Sequence, residues 1–165
     1  MNKFKLTLDV ADALANGVVK LVNQHKFKPV IINIVDSNAN TLVQKRMDGC
    51  VHIGIPDFSY AKAYTCIVMK QSSRDFRDKY TKEGDAGKIA QLNSMVSIAG
   101  GGGKMACFPG GILLKDADDE VVGAIGVSGA SGDEDEYVGL KSVWDSGLPL
   151  KTEPQEHSCS TSLEA

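Results

Sequence analysis

The residues best suited to chemistry in this sequence lie in a short corner, Arg46-Met47-Asp48-Gly49, that follows a predicted strand. The planar guanidinium of an arginine forms paired hydrogen bonds with carboxylates, which makes Arg46 a candidate for recognising an acidic ligand at the mouth of a pocket. In the simpler interpretation the corner is a turn, in which Arg46 and Asp48 pair with each other or face solvent. His52 follows the corner and is the only histidine near a candidate site.

A second candidate, Lys62, lies in a largely apolar helical stretch between Ala61 and Ala63. A lysine in such a stretch usually extends its ammonium group to solvent. If the ammonium faces a cavity instead, its pKa falls and the side chain can hold an anion or act as a base. Lys62 and Asp48 are therefore the candidates for acid–base catalysis.

Glycine recurs at every third position of one predicted strand and its end, as Gly123, Gly126 and Gly129. These glycines allow a helix or a neighbouring subunit to approach the backbone closely, or they leave room for a ligand. In the second interpretation, the N–H groups of segment 128–132 and of the helix that follows it bind an anion. The two interpretations are compatible, and both place a close contact at this strand.

Hydrophobic periodicity and turn residues predict the elements that position these side chains. A helix is predicted from about residue 8, with Thr7 as its cap, and further helices at 55–69, within 74–88, at 89–96 and at 133–144. Strands are predicted at 30–35, 41–46, 104–108, 111–114 and 121–128, with a turn at 36–40 between the first two. Because the connections within each group of strands are short, they favour antiparallel pairing. We therefore predict an α+β fold, with one five-stranded antiparallel sheet flanked by helices. Residues 1–148 are predicted to form one domain and residues 149–165 a disordered tail.

The composition narrows the classes of function. Apolar residues make up 42% and charged residues 24% of the 165 residues, as in an ordinary folded protein. The net charge of −3 gives no excess of Lys and Arg for nucleic acid, and no apolar run reaches the roughly 20 residues that cross a bilayer. Because Asp9 and Asp12 interrupt any signal-peptide core, we expect a cytoplasmic protein.

Four of these segments together resemble the GlcG/HbpS-like family, which includes the C-terminal domain of PduO-type proteins. They are Arg46-Met47-Asp48-Gly49, Ala61-Lys62-Ala63-Tyr64-Thr65, Pro109-Gly110-Gly111 and Gly123-Ala124-Ile125-Gly126-Val127-Ser128-Gly129-Ala130. The resemblance covers roughly residues 6–144. It implies a profilin-like fold, assembly into homo-oligomers (dimers or higher), and haem binding or haem degradation.

The resemblance also implies a set of pocket residues. They are Arg46, Asp48, Gly49, Lys62, Gly110, Gly111, Ser128 and Gly129, and Met47 and His52 are added to them as candidate ligand-binding residues. Haem-binding members can use a histidine on the first helix. The first helix predicted here, Thr7 to Asn23, has none, so axial ligation of a haem would come from His52, Met47, a tyrosine or a hydroxyl group. No other metal site is expected.

The leading hypothesis is a small-ligand-binding protein of the haem-binding or haem-degrading type. The alternative is an enzyme that acts on a small organic acid or a biosynthetic intermediate, with Lys62 or Asp48 in acid–base work; a purely structural or interaction module is a third reading. All site assignments require the corner and the strand that ends at Ser128 to border a common hollow.

Overall fold

The computed structural model describes residues 4–50, 55–98 and 104–159, with residues 55–57 as backbone only. Its helices and strands are listed here in chain order. They are α1 Leu8–His25, β1 Ile31–Asp36, β2 Thr41–Arg46, α2 Ile55–Met69, α3 Ser73–Thr81, α4 Ala86–Ile98, β3 Gly111–Lys115, β4 Val121–Ser128, α5 Gly132–Ser146 and β5 Lys151–Glu153. Among these helices none has both the length and the apolar character needed to cross a membrane.

The strands form one antiparallel sheet in the order β2-β1-β4-β3-β5. The predicted α+β fold with a five-stranded antiparallel sheet is thereby confirmed. One of the five strands was placed wrongly, however. Residues 104–108 form no strand, and the fifth strand is β5, which lies in the segment predicted to be a disordered tail.

The two hairpins of the sheet, β1–β2 and β3–β4, close with the same turn. In each turn an aspartate, Asp36 or Asp116, accepts hydrogen bonds from two backbone N–H groups further along the turn, at 2.8–3.0 Å. The residue three positions after each aspartate, Ala39 or Asp119, has a positive φ of 63°. The aspartate side chain thus replaces the backbone partners that the turn leaves open, which explains why both turns are rich in Asp and Asn.

Helices α1 and α5 cover one face of the sheet with a continuous apolar core. Thr7 caps α1 by accepting a hydrogen bond from the N–H group of Val10, as the sequence predicts. Alternate residues of the central strands, such as Ile32 and Ile34 of β1, point into this core. The face is therefore held together by hydrophobic burial along its whole length.

Helix α2 covers the opposite face and lies unusually close to the strands. A Cβ atom on Gly126 would lie 1.8 Å from the carbonyl oxygen of Ser59, and one on Gly111 would lie 2.6 Å from that of Lys62. The glycines of β3 and β4 therefore admit the backbone of α2. The interpretation that Gly126 leaves room for a ligand is wrong, because the helix fills that space, as it also does beside Gly111.

The C-terminal segment adds the edge strand β5 beside β3. Thr152 of β5 pairs with Leu114, and its hydroxyl accepts a hydrogen bond from the indole N–H group of Trp144 at 3.3 Å. Beyond β5, the ring of His157 lies 4.9 Å from that of Tyr137. The predicted disorder is thus wrong for residues 151–153. A three-residue edge strand pairs through its backbone, so its polar side chains carry no periodic signal.

Candidate functional site

A cavity of about 400 Å³ lies where the end of β2 faces α1, and we refer to it as the corner cavity. Its described lining comes from the two elements in nearly equal parts. The lining residues are Asn16, Val19 and Asn23 of α1 together with Lys45, Arg46, Met47 and Asp48 of the β2 corner. Three predicted site residues, Arg46, Met47 and Asp48, therefore line one cavity.

The shape of the corner follows from its backbone. The N–H group of Met47 donates to the carbonyl of Val30 at 3.0 Å, and the N–H group of Cys50 donates back to the carbonyl of Met47 at 3.2 Å. Between them Gly49 has a φ of +79°, a conformation that favours glycine. Gly49 therefore belongs to the turn that presents Arg46 and Asp48, and not to the cavity lining.

The two cations of the corner cavity differ in how their charge is offset. Lys45 lies 2.8 Å from the carboxylate of Asp12 and donates to the side-chain oxygen of Asn16 at 2.6 Å. The hydrogen bond from Lys45 lowers the pKa of Asp12. Arg46 is exposed and donates to the carbonyl of Cys50, and among the described residues no carboxylate forms an ion pair with it. Arg46 is thus the cation available to an acidic ligand.

The floor of the corner cavity is apolar. Val19 and Met47 are partly buried and pack against the core between the sheet and α1. Two amides, Asn16 and Asn23, stand beside them and supply donors and acceptors. An apolar floor with a few polar groups at its rim is typical of sites that bind small organic ligands.

Lys62 belongs to a different group on the other face of the sheet. Its side chain is 1% exposed, and its ammonium donates to the carbonyl of Val127 at 2.7 Å and to the carboxylate of Asp135 at 3.0 Å. The ring of Phe108 covers the ammonium, with its centre 5.0 Å from Nζ. We call Lys62 and Asp135 the buried cluster; Phe108, which is itself 39% exposed, covers it.

The ionisation of the buried cluster reflects its burial. Removal from water lowers the pKa of Lys62, and the neighbouring Asp135 carboxylate opposes that change. Burial likewise raises the pKa of Asp135, opposed by Lys62 and by hydrogen bonds from the N–H groups of Ala130 and Gly129. Each charge therefore offsets the other's desolvation, and the pair ties α2 to β4 and α5. Neither group is exposed to a ligand.

Three further predicted residues, Gly110, Gly111 and Ser128, are also buried. A Cβ atom on Gly110, which has a φ of +119°, would lie 2.7 Å from Nζ of Lys62, so this glycine makes room for the ammonium. Gly111 is covered by α2 as described above. Ser128 is 5% exposed and pairs with Ile31 across the sheet. In this chain the three residues are therefore part of the packed interior.

At the start of α5, side chains accept hydrogen bonds from backbone N–H groups of the same segment. Ser131 accepts from the N–H group of Glu134 at 3.2 Å, and the Glu134 carboxylate accepts from the N–H group of Ser131 at 2.9 Å. The Asp135 carboxylate accepts a hydrogen bond from the N–H group of Ala130 at 3.0 Å. The N–H groups of Ala130, Ser131 and Glu134, which the predicted anion site would use, are therefore already bonded to side chains of the chain itself. Gly129 lines a separate cavity of about 520 Å³.

The predicted site residues thus divide into two groups. Ile31 of β1 pairs with Arg46 on one side and with Ser128 on the other, so two strand spacings, about 10 Å, separate them. The described lining of the corner cavity contains none of Ser128, Lys62 or Gly110. Within the described residues of one chain, the corner cavity thus does not extend to Ser128. A common hollow formed between copies of the chain stays a prediction. His52 lies outside the described residues.

Sequence reasoning missed several residues that matter at these places. Asp135 reads as one of four acidic residues that begin a helix, and nothing in its sequence context indicates a buried partner. Asn16 and Asn23 are ordinary polar residues on the exposed side of α1. Their spacing of seven, with Val19 between them, places them on one stripe of the helix. That stripe could have indicated a surface that faces another element.

Comparison with known proteins gives consistent matches over most of the chain. The family model described as haem degrading protein HbpS-like matches residues 6–143. An uncharacterised 15.0 kDa protein in the dhaT–dhaS intergenic region of Citrobacter freundii is 27% identical over 138 residues, which cover 82% of this chain and 90% of that protein.

Two solved structures show the same fold. A PduOC:haem complex has a TM-score of 0.76 at 23% identity and covers 91% of this chain and 99% of its own. A double mutant of HbpS from Streptomyces reticuli has a TM-score of 0.71 at 26% identity and covers 90% of this chain and 91% of its own. At its level of identity, the first likeness concerns the fold alone.

Proposed function

Since the chain belongs to the family of haem-degrading HbpS-like proteins, we propose that it binds a small ligand that has an apolar body and a carboxylate. Haem is the leading candidate, and the corner cavity is the proposed site. The observation that carries this proposal is Arg46, a cation without an acidic partner among the described residues, beside the apolar floor of Val19 and Met47.

The described residues of the corner cavity fit the organic part of a haem. Arg46 would hold a propionate, because a guanidinium matches a carboxylate in charge and geometry. Val19 and Met47 would contact the edge of the ring, and the amides of Asn16 and Asn23 would bind polar substituents. A bound haem supplies iron-centred redox and oxygen chemistry. The residues named here bind and orient it.

The alternative, an enzyme that acts on a small organic acid, would use the same Arg46 to hold its substrate. Asp48 is exposed at the rim of the corner cavity and could exchange a proton there. Lys62 is not suited to acid–base work in this arrangement, because its ammonium is buried and bonded to Val127 and Asp135. We therefore retain Asp48 alone as the candidate general acid or base.

Two further parts of the proposal concern the assembly and the location of the protein. We expect homo-oligomers and a cytoplasmic location, as the family resemblance and the sequence imply.

Titration with haemin, followed by the Soret absorbance band, tests the proposed function. We expect a saturable shift at micromolar haemin. Arg46→Ala should weaken binding about tenfold, because it removes a charge-assisted contact. Asp12→Asn should strengthen it about twofold to threefold, because it releases Lys45 for the ligand's acid. Arg77→Ala is the matched control, since Arg77 pairs with Asp78 on α3 and should leave binding unchanged.

The outcomes separate the candidate functions. A chain that shows no saturable Soret shift, or an Arg46→Ala variant that binds haemin like the parent protein, would contradict the haem proposal. If haemin fails while succinate binds in an Arg46-dependent manner, the organic-acid alternative takes its place. Succinate is a suitable probe because it carries carboxylates on a small body.

A further inference from the structure

The side chains of α1 that face the corner cavity form a single stripe. Asn16, Val19 and Asn23 are separated by three and four residues, so they follow one another along one side of the helix. The stripe offers two amides and one aliphatic group. None of these coordinates iron as an imidazole does, so this stripe of α1 provides surface for contact without a ligand for the metal.

The two described histidines are engaged elsewhere. The ring of His25 stacks on Phe27 at 5.3 Å and meets the edge of Tyr137 at 5.3 Å, with its Nε2 3.4 Å from the tyrosine hydroxyl. His157 packs against Tyr137 at 4.9 Å and against Trp144 at 6.1 Å. Both imidazoles therefore contact α5, and neither lines the corner cavity.

The other groups of the corner cavity are suited to the acid and the body of a ligand. Met47 is partly buried against the α1-side core, where its side chain forms floor. Arg46 offers the cation whose charge is not offset, and Lys45 offers a second one shared with Asp12. The affinity of the described lining thus lies in contacts with carboxylates and with apolar surface.

From this lining we infer that the corner cavity recognises a tetrapyrrole by its carboxylates and ring, independently of the iron. The inference rests on the proposed function and makes it more specific. Its consequence is that metal-free protoporphyrin, which carries the same propionates on the same ring, binds about as tightly as haemin.

The experiment compares the two ligands on the full chain and on single variants. Binding is measured by absorbance for both ligands, and for metal-free protoporphyrin also by its own fluorescence. We expect dissociation constants within about threefold of each other, and Arg46→Ala should raise both about tenfold. His52→Ala and Met47→Leu should leave the ratio of the two dissociation constants unchanged, because each removes a potential iron ligand that only haemin could use. Arg77→Ala again serves as the matched control.

The outcomes distinguish a failure of the inference from a failure of the proposed function. Haemin that binds tenfold or more tightly than the metal-free ligand, with the excess lost in His52→Ala or Met47→Leu, would overturn the inference and leave the proposed function intact. The inference would also be overturned if Arg46→Ala left the dissociation constant of metal-free protoporphyrin unchanged. If neither ligand binds saturably, the proposed function itself fails.

Discussion

Two cationic side chains lie at the same end of the sheet but differ in their exposure to solvent and in their ionic partners. Arg46 is exposed beside the corner cavity, and among the described residues no carboxylate pairs with it. Lys62 is 1% exposed and bonded to a carbonyl and to a carboxylate that is itself 3% exposed. A cation is thus available to a ligand only where the protein does not already neutralise it.

The difference also assigns the two cations to different tasks. A buried ion pair contributes little net stability when intact, because the attraction mainly offsets the loss of water. Breaking one costs much more, because the remaining charge stays buried without compensation. The buried cluster should therefore govern whether the chain folds, while the corner cavity should govern what it binds.

The largest expected effect comes from breaking the buried pair. Lys62→Met leaves the Asp135 carboxylate buried without its partner and should lower the free energy of unfolding by about 3–5 kcal/mol. Lys62→Met combined with Asp135→Asn removes both charges but keeps an oxygen that can accept from the N–H group of Ala130. The double variant should therefore recover a large part of the loss. Urea denaturation measures both values.

Lys115→Met provides the control for this comparison. Lys115 forms an ion pair with Glu153 in which the side chains are 20% and 30% exposed, and its removal should cost at most about 1 kcal/mol. If Lys62→Met proved no more costly than Lys115→Met, the buried cluster would not hold α2, β4 and α5 together. A double variant as unstable as the single one would contradict the charge argument.

The next largest effect is expected where α2 packs closely on the sheet. Gly126→Ala places a methyl group 1.8 Å from the Ser59 carbonyl, so backbone must move, and we expect a loss of about 2–3 kcal/mol. Gly87→Ala is the matched substitution on α4, where the nearest atom is the flexible carboxylate of Asp85 at 3.1 Å. There the higher helix propensity of alanine should make the change neutral or stabilising. Thermal unfolding of both variants distinguishes packing from a general effect of added methyl groups.

Much of the fold was predictable because its signals are local. The capping residue Thr7 and the turn after β1 mark element boundaries with short-range hydrogen bonds, and the structure has both where the sequence indicates them. β5 escaped prediction for the opposite reason. Its three residues pair with β3 residues that lie 36 to 40 positions earlier in the chain, and no local pattern encodes such a pairing.

The candidate site was predictable only in part. The corner is visible in sequence because Arg46 and Asp48 stand in one turn. The partner of Lys62 was not visible, because Asp135 lies 73 positions away among other acidic residues. The glycines were recognised as sites of close approach, but the occupant of the space, α2 or a ligand, is decided by tertiary packing.

Mapping a bound ligand by NMR tests the division between the two regions most directly. Metal-free protoporphyrin, which is not paramagnetic, is added to the ¹⁵N-labelled chain and the backbone amide shifts are followed. We predict the largest changes at Asn16, Val19, Asn23 and residues 45–48, with little change around Lys62. Largest changes at Lys62, Ser128 and Asp135, with the corner unaffected, would contradict the assignment of ligand binding to the corner cavity.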